Sequence, residues 1–176
     1  DRPMSNIGFK VMALTFKVRD LLKPRVKILA EVGIRPGFHV LDYGSGPGSY
    51  TKLLAELVGE SGKVYALDIN PRAVKMVQRL AAKNLLTNVE TILSDRQTDF
   101  PDNSIDVVLL YDTFHDLTDP QGVLEELHRI LKTDGVLSFS DHHMKEDEII
   151  SKVTDKGLFK LKSKGENTHT FSKTIA

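Results

Sequence analysis

The chain has 176 residues, 40% of them hydrophobic and 27% charged, a composition typical of a single globular domain. Its 24 basic and 24 acidic residues give a formal net charge of zero, which disfavours a broad nucleic-acid-binding surface. Cysteine is absent, which excludes disulfides and thiolate chemistry, and no apolar run suggests a signal peptide or a membrane span, so we expect a cytoplasmic protein.

Two helices are predicted before the first strand. Residues 5–22 place apolar side chains at helical spacing, and Pro24 suits the first turn of a second helix over about residues 24–33. Because neither helix can be a crossover of a following sheet, we expect residues 1–33 to form a helical lid or cap on the domain of residues 34–176. Phe16 is a candidate substrate contact, although an apolar helical stripe is also typical of core packing.

From residue 38 onward, predicted strands and helices alternate. Apolar strands are predicted over about residues 38–42, 63–67, 89–93, 105–111 and 136–140. Helices are predicted over about residues 49–59, 70–83, 119–132 and 146–154. Residues 157–162 and 168–174 predict a closing antiparallel hairpin. The repeated βα units predict an α/β fold with helices on both faces of a mostly parallel sheet.

The stretch of residues 40–51 passes from a strand into a helix through Gly44, Gly46 and Gly48. Such a turn lets a ligand lie against bare backbone. Asp42 would repel a pyrophosphate, and the G-x-G-x-G spacing differs from the G-x-G-x-x-G spacing of dinucleotide sites. The stretch therefore indicates a ligand that carries an amine or a cation, and it disfavours a nicotinamide oxidoreductase.

An acid stands at or just after the end of each predicted parallel strand, where ligands bind in open parallel sheets. These acids are Asp42, Asp68, Asp95, Asp112 and Asp141. Acids in such places often cap the following helix, an interpretation that suits Asp119 well and Asp112 fairly well. Three successive acids around a glycine turn are better explained by a binding site.

These segments together resemble the class I methyltransferases that use S-adenosylmethionine. The matching segments are residues 40–48, 65–71, 94–95, 100–106 and 124–135. The last two are similar to those of the subfamily that contains quinone-biosynthesis and other small-molecule methyltransferases. The resemblance covers about residues 34–140. It implies a three-layer, doubly wound, Rossmann-like sheet of seven mostly parallel strands in the order 3-2-1-4-5-7-6.

The resemblance implies S-adenosylmethionine as cofactor and S-adenosylhomocysteine as product. The turn, including Tyr43 and Ser45, would approach the methionine part of the cofactor, and Asp42 would face its ammonium group. Asp68 would accept hydrogen bonds from the ribose hydroxyls, and Ile69 would pack against the adenine. The remaining implied cofactor contacts are Ser94, Asp95, Arg96 and Tyr111.

Structural interpretations of these residues stay open. Asp68 could cap the next helix, but Asn70 is better placed for that role. Ile69 could belong to the core, and Tyr111 could be a buried structural tyrosine. The polar segment of residues 96–98 departs from the family pattern and weakens the prediction for the adenine edge.

A methyl transfer needs a general base only when the acceptor must lose a proton. His115, after the fourth strand, is the predicted base, and a hydrogen-bonded loop histidine is the equal alternative. Phe114 and His142 are predicted substrate contacts. If His142 and His143 continue the fifth strand, they point to opposite faces, so a metal cluster with His115 is disfavoured and we predict no metal.

We therefore expect an S-adenosylmethionine-dependent methyltransferase (EC 2.1.1.-) that transfers a methyl group by in-line displacement to oxygen, carbon or nitrogen of a small molecule. The Asn/Asp-Pro-Pro-Tyr/Phe signature of amino-methylating nucleic-acid enzymes is absent. We expect no nucleic-acid or membrane partner, and a homodimer is compatible with the sequence. The alternative is a non-catalytic regulator or partner subunit that binds S-adenosylmethionine or S-adenosylhomocysteine.

Overall fold

The computed structural model describes residues 25–175, so the predicted helix of residues 5–22, with Phe16, lies outside the described residues. The first part runs α1 (Arg25–Ala30), β1 (His39–Tyr43), α2 (Thr51–Val58), β2 (Lys63–Asp68), α3 (Pro71–Lys83) and β3 (Val89–Leu93). The second part runs β4 (Ile105–Tyr111), a 3₁₀ turn (Phe114–Asp116), α4 (Pro120–Ile130), β5 (Leu131–Ser140), α5 (Glu146–Thr154), β6 (Phe159–Lys164) and β7 (His169–Lys173).

The strands form one seven-stranded sheet in the order β3-β2-β1-β4-β5-β7-β6, which confirms the predicted order. The first five strands in this order pair in parallel, whereas β7 runs antiparallel to β5 and β6 runs antiparallel to β7. The chain order reverses between β1 and β4. The carboxyl ends of these two strands therefore meet at the switch point, where open α/β sheets bind ligands.

Apolar side chains cover both faces of the sheet. Val40 packs in a cluster with α1 and α2, and Leu41 packs in a cluster with α4 and α5. Because successive side chains of a strand point to opposite faces, Asp42 lies on the α1 and α2 face and Tyr43 on the α4 and α5 face. The alternation of β1 thus places Asp42, a buried acid, one residue before the end of the strand.

Strand β5 begins earlier than the sequence predicted. Helix α4 passes into it at Leu131, which pairs with Ile105, and regular pairing resumes at Val136 opposite Val107. The residues between them, which separate the predicted helix from the predicted strand, form an irregularity inside the strand. The hairpin strands are likewise displaced by up to two residues from their predicted bounds, because short loops are the least sharply encoded parts of such a pattern.

Glu31 attaches the chain just after α1 to the β6–β7 hairpin. Its carboxylate accepts hydrogen bonds from the backbone and the side chain of both Asn167 and Thr168, at 2.6–3.2 Å. Gly165 allows this approach, because a Cβ atom there would lie 2.1 Å from Glu31 Oε2. Within residues 25–175, none of the helices is long and apolar enough to span a bilayer.

Candidate functional site

Residues 44–48, the glycine turn, are attached to the end of β2 by main-chain donors. The N–H groups of Gly44 and Ser45 both donate to the carbonyl oxygen of Leu67, at 2.8 and 2.9 Å. The N–H group of Gly46 donates to Oδ2 of Asp68 at 2.8 Å. The turn is thus held rigidly between the ends of β1 and β2.

The turn glycines have a positive φ, and at Gly44 close packing requires glycine as well. Gly44 has φ +77°, and a Cβ atom there would lie 2.3 Å from Oγ1 of Thr113. Gly48 has φ +88°, and its Cβ atom would lie 3.1 Å from Cγ2 of Val77 in α3. The loop after β4 therefore lies directly against the turn. Thr113 was not predicted as part of the site, since glycine spacing alone does not reveal what approaches a glycine.

Asp68 bridges the turn and α3. Its Oδ1 accepts the N–H of Asn70 at 2.7 Å, in addition to the bond of Oδ2 with Gly46. Asn70 caps α3, because its Oδ1 accepts the N–H of Arg72 at 3.0 Å, as the sequence indicated. Burial raises the pKa of Asp68 despite the two backbone donors. Each carboxylate oxygen keeps a second lone pair with which it could accept from a ligand hydroxyl.

Asp42 is a buried acid without a full set of partners. It is 3% exposed, and its Oδ2 atom has no hydrogen-bond partner within residues 25–175. Burial, together with the nearby Asp68 carboxylate, raises the pKa of Asp42 to about 7. A buried charge needs a partner to stay ionised at neutral pH. An ammonium group of a ligand would supply that partner.

The loop after β3 carries the predicted adenine-edge residues. The phenol of Tyr43 donates to the backbone carbonyl of Asp95 at 2.7 Å, so the last residue of β1 is attached to this loop. Ser94 Oγ accepts the N–H of Arg96 at 3.3 Å, and the Arg96 guanidinium pairs with Asp119 at 2.6 Å. Asp119 also caps α4 by accepting the N–H of Gly122 at 2.9 Å, as predicted.

Farther along the loop after β3, the loop is held in place by the side chain of Glu126, which belongs to α4. The carboxylate accepts from the backbone and the hydroxyl of Thr98, at 3.1 and 2.6 Å, and from two nitrogens of Arg129. Arg129 also donates to the carbonyl of Phe100 and to Asp102. The hydrogen bonds from Arg129 and Thr98 outweigh the cost of burial and hold the pKa of Glu126 at about 2. The adenine-side loop is therefore anchored by a charged network outside the site.

Tyr111 and Phe114 are both deeply packed. The Tyr111 hydroxyl lies 2.7 Å from the hydroxyl of Ser138, and its ring meets Tyr50 edge-on with centroids 5.2 Å apart. Burial raises the pKa of Tyr111, which keeps it neutral. The Phe114 ring packs edge-on against Phe139 in the core, at 5.2 Å. Both residues therefore contribute to the packing of the fold. The cofactor contact predicted for Tyr111 and the substrate contact predicted for Phe114 stay predictions.

The loops after β4 and β5 bring three imidazoles together, His115, His143 and His142, which we name the imidazole stack. The ring of His143 lies between the other two, with centroids 4.3 Å from His115 and 4.0 Å from His142. Because β5 ends at Ser140, His142 and His143 lie in the turn that follows, and the opposite-face geometry predicted for a continuing strand does not apply to them.

Carboxylates from both strand ends hold the stack. Nδ1 of His115 lies 2.8 Å from Oδ2 of Asp141, and Nδ1 of His142 lies 2.6 Å from Oδ1 of Asp112. Asp112 was expected to cap the following helix, but its side chain faces the β5 loop instead and accepts the N–H of His142. Within residues 25–175, the histidines and acids form no group arranged to hold a metal ion. Asp141 and His143 were not predicted as site residues.

The strand order, the glycine turn after Asp42 and the acid at the end of β2 define an α/β protein with class I methyltransferase architecture. A family model described as a methyltransferase domain matches residues 34–173. The chain belongs to this family, and S-adenosylmethionine is its cofactor.

Relatives of known name agree with this assignment. Ubiquinone/menaquinone biosynthesis C-methyltransferase UbiE of Pseudoalteromonas translucida is 34% identical over 84% of this chain, and UbiE of Shewanella sp. (strain W3-18-1) is 33% identical over 73%. The aligned parts span only 59% and 52% of those two proteins. A S-adenosylmethionine-dependent methyltransferase from Aquifex aeolicus, known from its crystal structure, has a TM-score of 0.78 and 27% identity, with 90% of this chain and 97% of that chain covered.

The cofactor fits the residues present. The partnerless Oδ2 atom of buried Asp42 suits the cofactor's ammonium group, and Asp68 has acceptor capacity for ribose hydroxyls. The turn presents backbone without side chains at Gly44, Gly46 and Gly48. This set of donors and acceptors matches an amino-acid-bearing nucleoside better than a pyrophosphate.

Proposed function

We propose that this chain methylates an aromatic ring of the quinone type at a ring carbon, with S-adenosylmethionine as methyl donor. The names of the UbiE relatives support carbon as the methylated atom and a quinone-type ring as the acceptor. The chain spans little more than half the length of those relatives.

The observation that carries the proposal is the contact between Thr113 and Gly44. It places the loop after β4 directly on the glycine turn, and His115 lies two residues further along that loop. A methyl group delivered over the turn and a base on this loop would therefore lie close together. Proximity of this kind is the main contribution that a protein makes to methyl transfer from an already activated donor.

The chemistry requires the acceptor to lose one proton overall. When bound, S-adenosylmethionine supplies an electrophilic methyl group on a sulfonium that leaves as a neutral thioether. A ring hydroxyl gives its proton to Nε2 of His115, and the electron-rich ring forms the new carbon–carbon bond as the carbon–sulfur bond breaks. The ring C–H proton is then lost to solvent to restore aromaticity, and protonated His115 returns its proton to the ring oxygen. The net products are a methylated ring, S-adenosylhomocysteine and one proton.

The remaining role assignments belong to the same proposal. The cofactor contacts are Asp42, Tyr43, Gly44, Ser45, Gly46, Gly48, Asp68, Ile69, Ser94, Asp95, Arg96 and Tyr111. The substrate contacts are Phe16, Phe114 and His142, with residues 1–33 as a lid or cap. We place the protein in the cytoplasm and propose a homodimer, which light scattering of the purified chain would test.

The test is a methyl-transfer assay with [methyl-¹³C]S-adenosylmethionine. Reduced benzoquinones and naphthoquinones with an open ring position are offered first, and then a metabolite extract. A new aryl–CH₃ signal in the ¹³C spectrum of the product, with release of S-adenosylhomocysteine, is the expected result.

Other products would redirect the proposal. An O–CH₃ or N–CH₃ signal would replace carbon by another acceptor atom. Tight binding of S-adenosylhomocysteine with no labelled product from any pool would favour the non-catalytic alternative. Calorimetry with S-adenosylhomocysteine on the same preparation separates an inactive protein from a misfolded one.

A further inference from the structure

The loops after β4 and β5 are joined by a crossed pair of acid–imidazole contacts. The acid that follows β4, Asp112, holds His142 of the β5 loop, whereas the acid that follows β5, Asp141, holds His115 of the β4 loop. The two pairs look equivalent in sequence. Their surroundings differ, and the difference determines what each imidazole can do.

Asp141 is the more constrained of the two acids. Its side chain is 0% exposed, against 22% for Asp112. Oδ2 accepts the backbone N–H of His115 at 3.2 Å as well as contacting Nδ1, and Oδ1 accepts the backbone N–H of His143 at 3.1 Å. A carboxylate surrounded in this way acts only as an acceptor. Nδ1 of His115 must therefore be the donor in the 2.8 Å contact.

The opposite nitrogen of the same ring is left without a fixed partner. The His115 side chain is 26% exposed. Its Nε2 atom lies 3.5 Å from a carboxylate oxygen of Asp116, and the side chain of Asp116 is 74% exposed. An exposed contact of that length competes with water and contributes little free energy. The ring of His143 packs against the His115 ring and restricts its rotation. Nε2 is thus the nitrogen that is available to a substrate.

We propose that Asp141 is a positioning residue that locks neutral His115 in the Nδ1–H tautomer and so keeps the lone pair of Nε2 free to accept a proton. This proposal rests on the proposed function for its catalytic meaning, and it narrows the substrate class. The acceptor carries an ionisable hydroxyl, because a base held in one tautomer serves an acceptor that must lose a proton.

The tautomer can be measured without any acceptor. Long-range ¹H–¹⁵N spectra of the full chain, labelled at its six histidines and recorded at about pH 8.5 where imidazoles are ordinarily neutral, distinguish Nδ1–H from Nε2–H rings. The loss of one set of signals in His115→Gln assigns the ring. The wild-type His115 is expected to be Nδ1-protonated, and an Nε2-protonated ring would overturn the proposal even if no variant of Asp141 folds.

Asp141→Asn and Asp112→Asn form a matched pair. Asp141→Asn removes the negative charge that favours a proton on Nδ1, and an amide whose NH₂ group faces His115 would donate to Nδ1, so His115 should shift toward the Nε2–H tautomer. Asp112 has φ +50°, which asparagine tolerates well, and its amide variant should leave the His115 tautomer unchanged.

Turnover on the acceptor found in the ¹³C assay should fall about 10²-fold in Asp141→Asn, with the dissociation constant of S-adenosylhomocysteine within about twofold of wild type. A folded Asp141→Asn protein that keeps the Nδ1–H tautomer overturns the positioning role. If the tautomer shifts as expected while the wild type methylates no ring, the proposed function fails and the positioning of His115 stands.

Discussion

In the proposed cofactor half of the site, the glycine turn is attached to the end of β2 by main-chain hydrogen bonds with Leu67 and by the Asp68 carboxylate, which accepts from Gly46. In the proposed acceptor half, the imidazole stack is held by carboxylate side chains from two loops. Main-chain bonds depend on strand order and hardly on residue type. Side-chain pairs can be replaced one residue at a time. The difference shows how one fold can keep its cofactor site while its acceptor site varies.

The largest effect is expected from the acceptor half. His115→Ala removes the proposed base and should lower kcat by about 10²- to 10⁴-fold. Binding of S-adenosylhomocysteine, measured by calorimetry, should change by less than about twofold, because His115 contacts Asp141 and the stack rather than the turn. Retained kcat across the pH range would remove His115 from the mechanism.

Asp68→Ala tests the cofactor half. It removes a charged acceptor for the ribose hydroxyls and the bond with Gly46, so the affinity for S-adenosylhomocysteine should fall about 10²-fold or more. The control is Asn70→Ala, which removes the α3 cap next to the site and should cost about 1 kcal/mol of stability with little loss of affinity. Equal affinity losses in both variants would show that Asp68 acts only through local structure.

Glu126→Gln tests how much the hydrogen-bond network around Glu126 stabilises the folded protein. The variant weakens the contacts with Arg129 and Thr98, and the free energy of unfolding at pH 7 should fall by about 1–3 kcal/mol in urea titrations. Since folding lowers the pKa of Glu126 from 4.5 to about 2, its contribution is fully present above pH 4.5 and is lost as the pH falls toward 2. The difference in the free energy of unfolding between variant and wild type should therefore disappear in acid. A difference that is independent of pH would show that the charge of Glu126 does not stabilise the fold.

The smallest effect concerns the charge of Asp42. Its pKa of about 7 means that below pH 7 a proton must leave before the carboxylate can pair with the cofactor's ammonium group. The affinity for S-adenosylhomocysteine should rise about fivefold from pH 6 to pH 7 and about twofold more by pH 8, and level off above pH 8. Asp42→Asn should bind more weakly at pH 8 and lose this dependence in calorimetry. A pH-independent wild-type affinity would show that Asp42 does not face the ammonium group.

The sequence predicted the strands and turns around the proposed cofactor half more completely than the side-chain contacts of the proposed acceptor half. The βα alternation, the glycine spacing and Asp42 and Asp68 are local features whose positions at strand ends follow from periodicity. The helix cap at Asn70 was likewise foreseen from its place before Pro71. Strand order came from the resemblance to a family and was confirmed by the structure.

What the sequence alone determined is therefore the class of fold and the family, together with the segments that we propose to bind the cofactor, because each depends on short segments with their own pattern. Only the tertiary structure decided which acid contacts which histidine. It also decided that Thr113 packs on Gly44 and that His143 lies between His115 and His142. Apart from the contact between the neighbours His142 and His143, those contacts join residues about 26 to 69 positions apart at the ends of strands β1, β4 and β5, and a pairing over such distances is set by the sheet as a whole rather than by any local sequence signal.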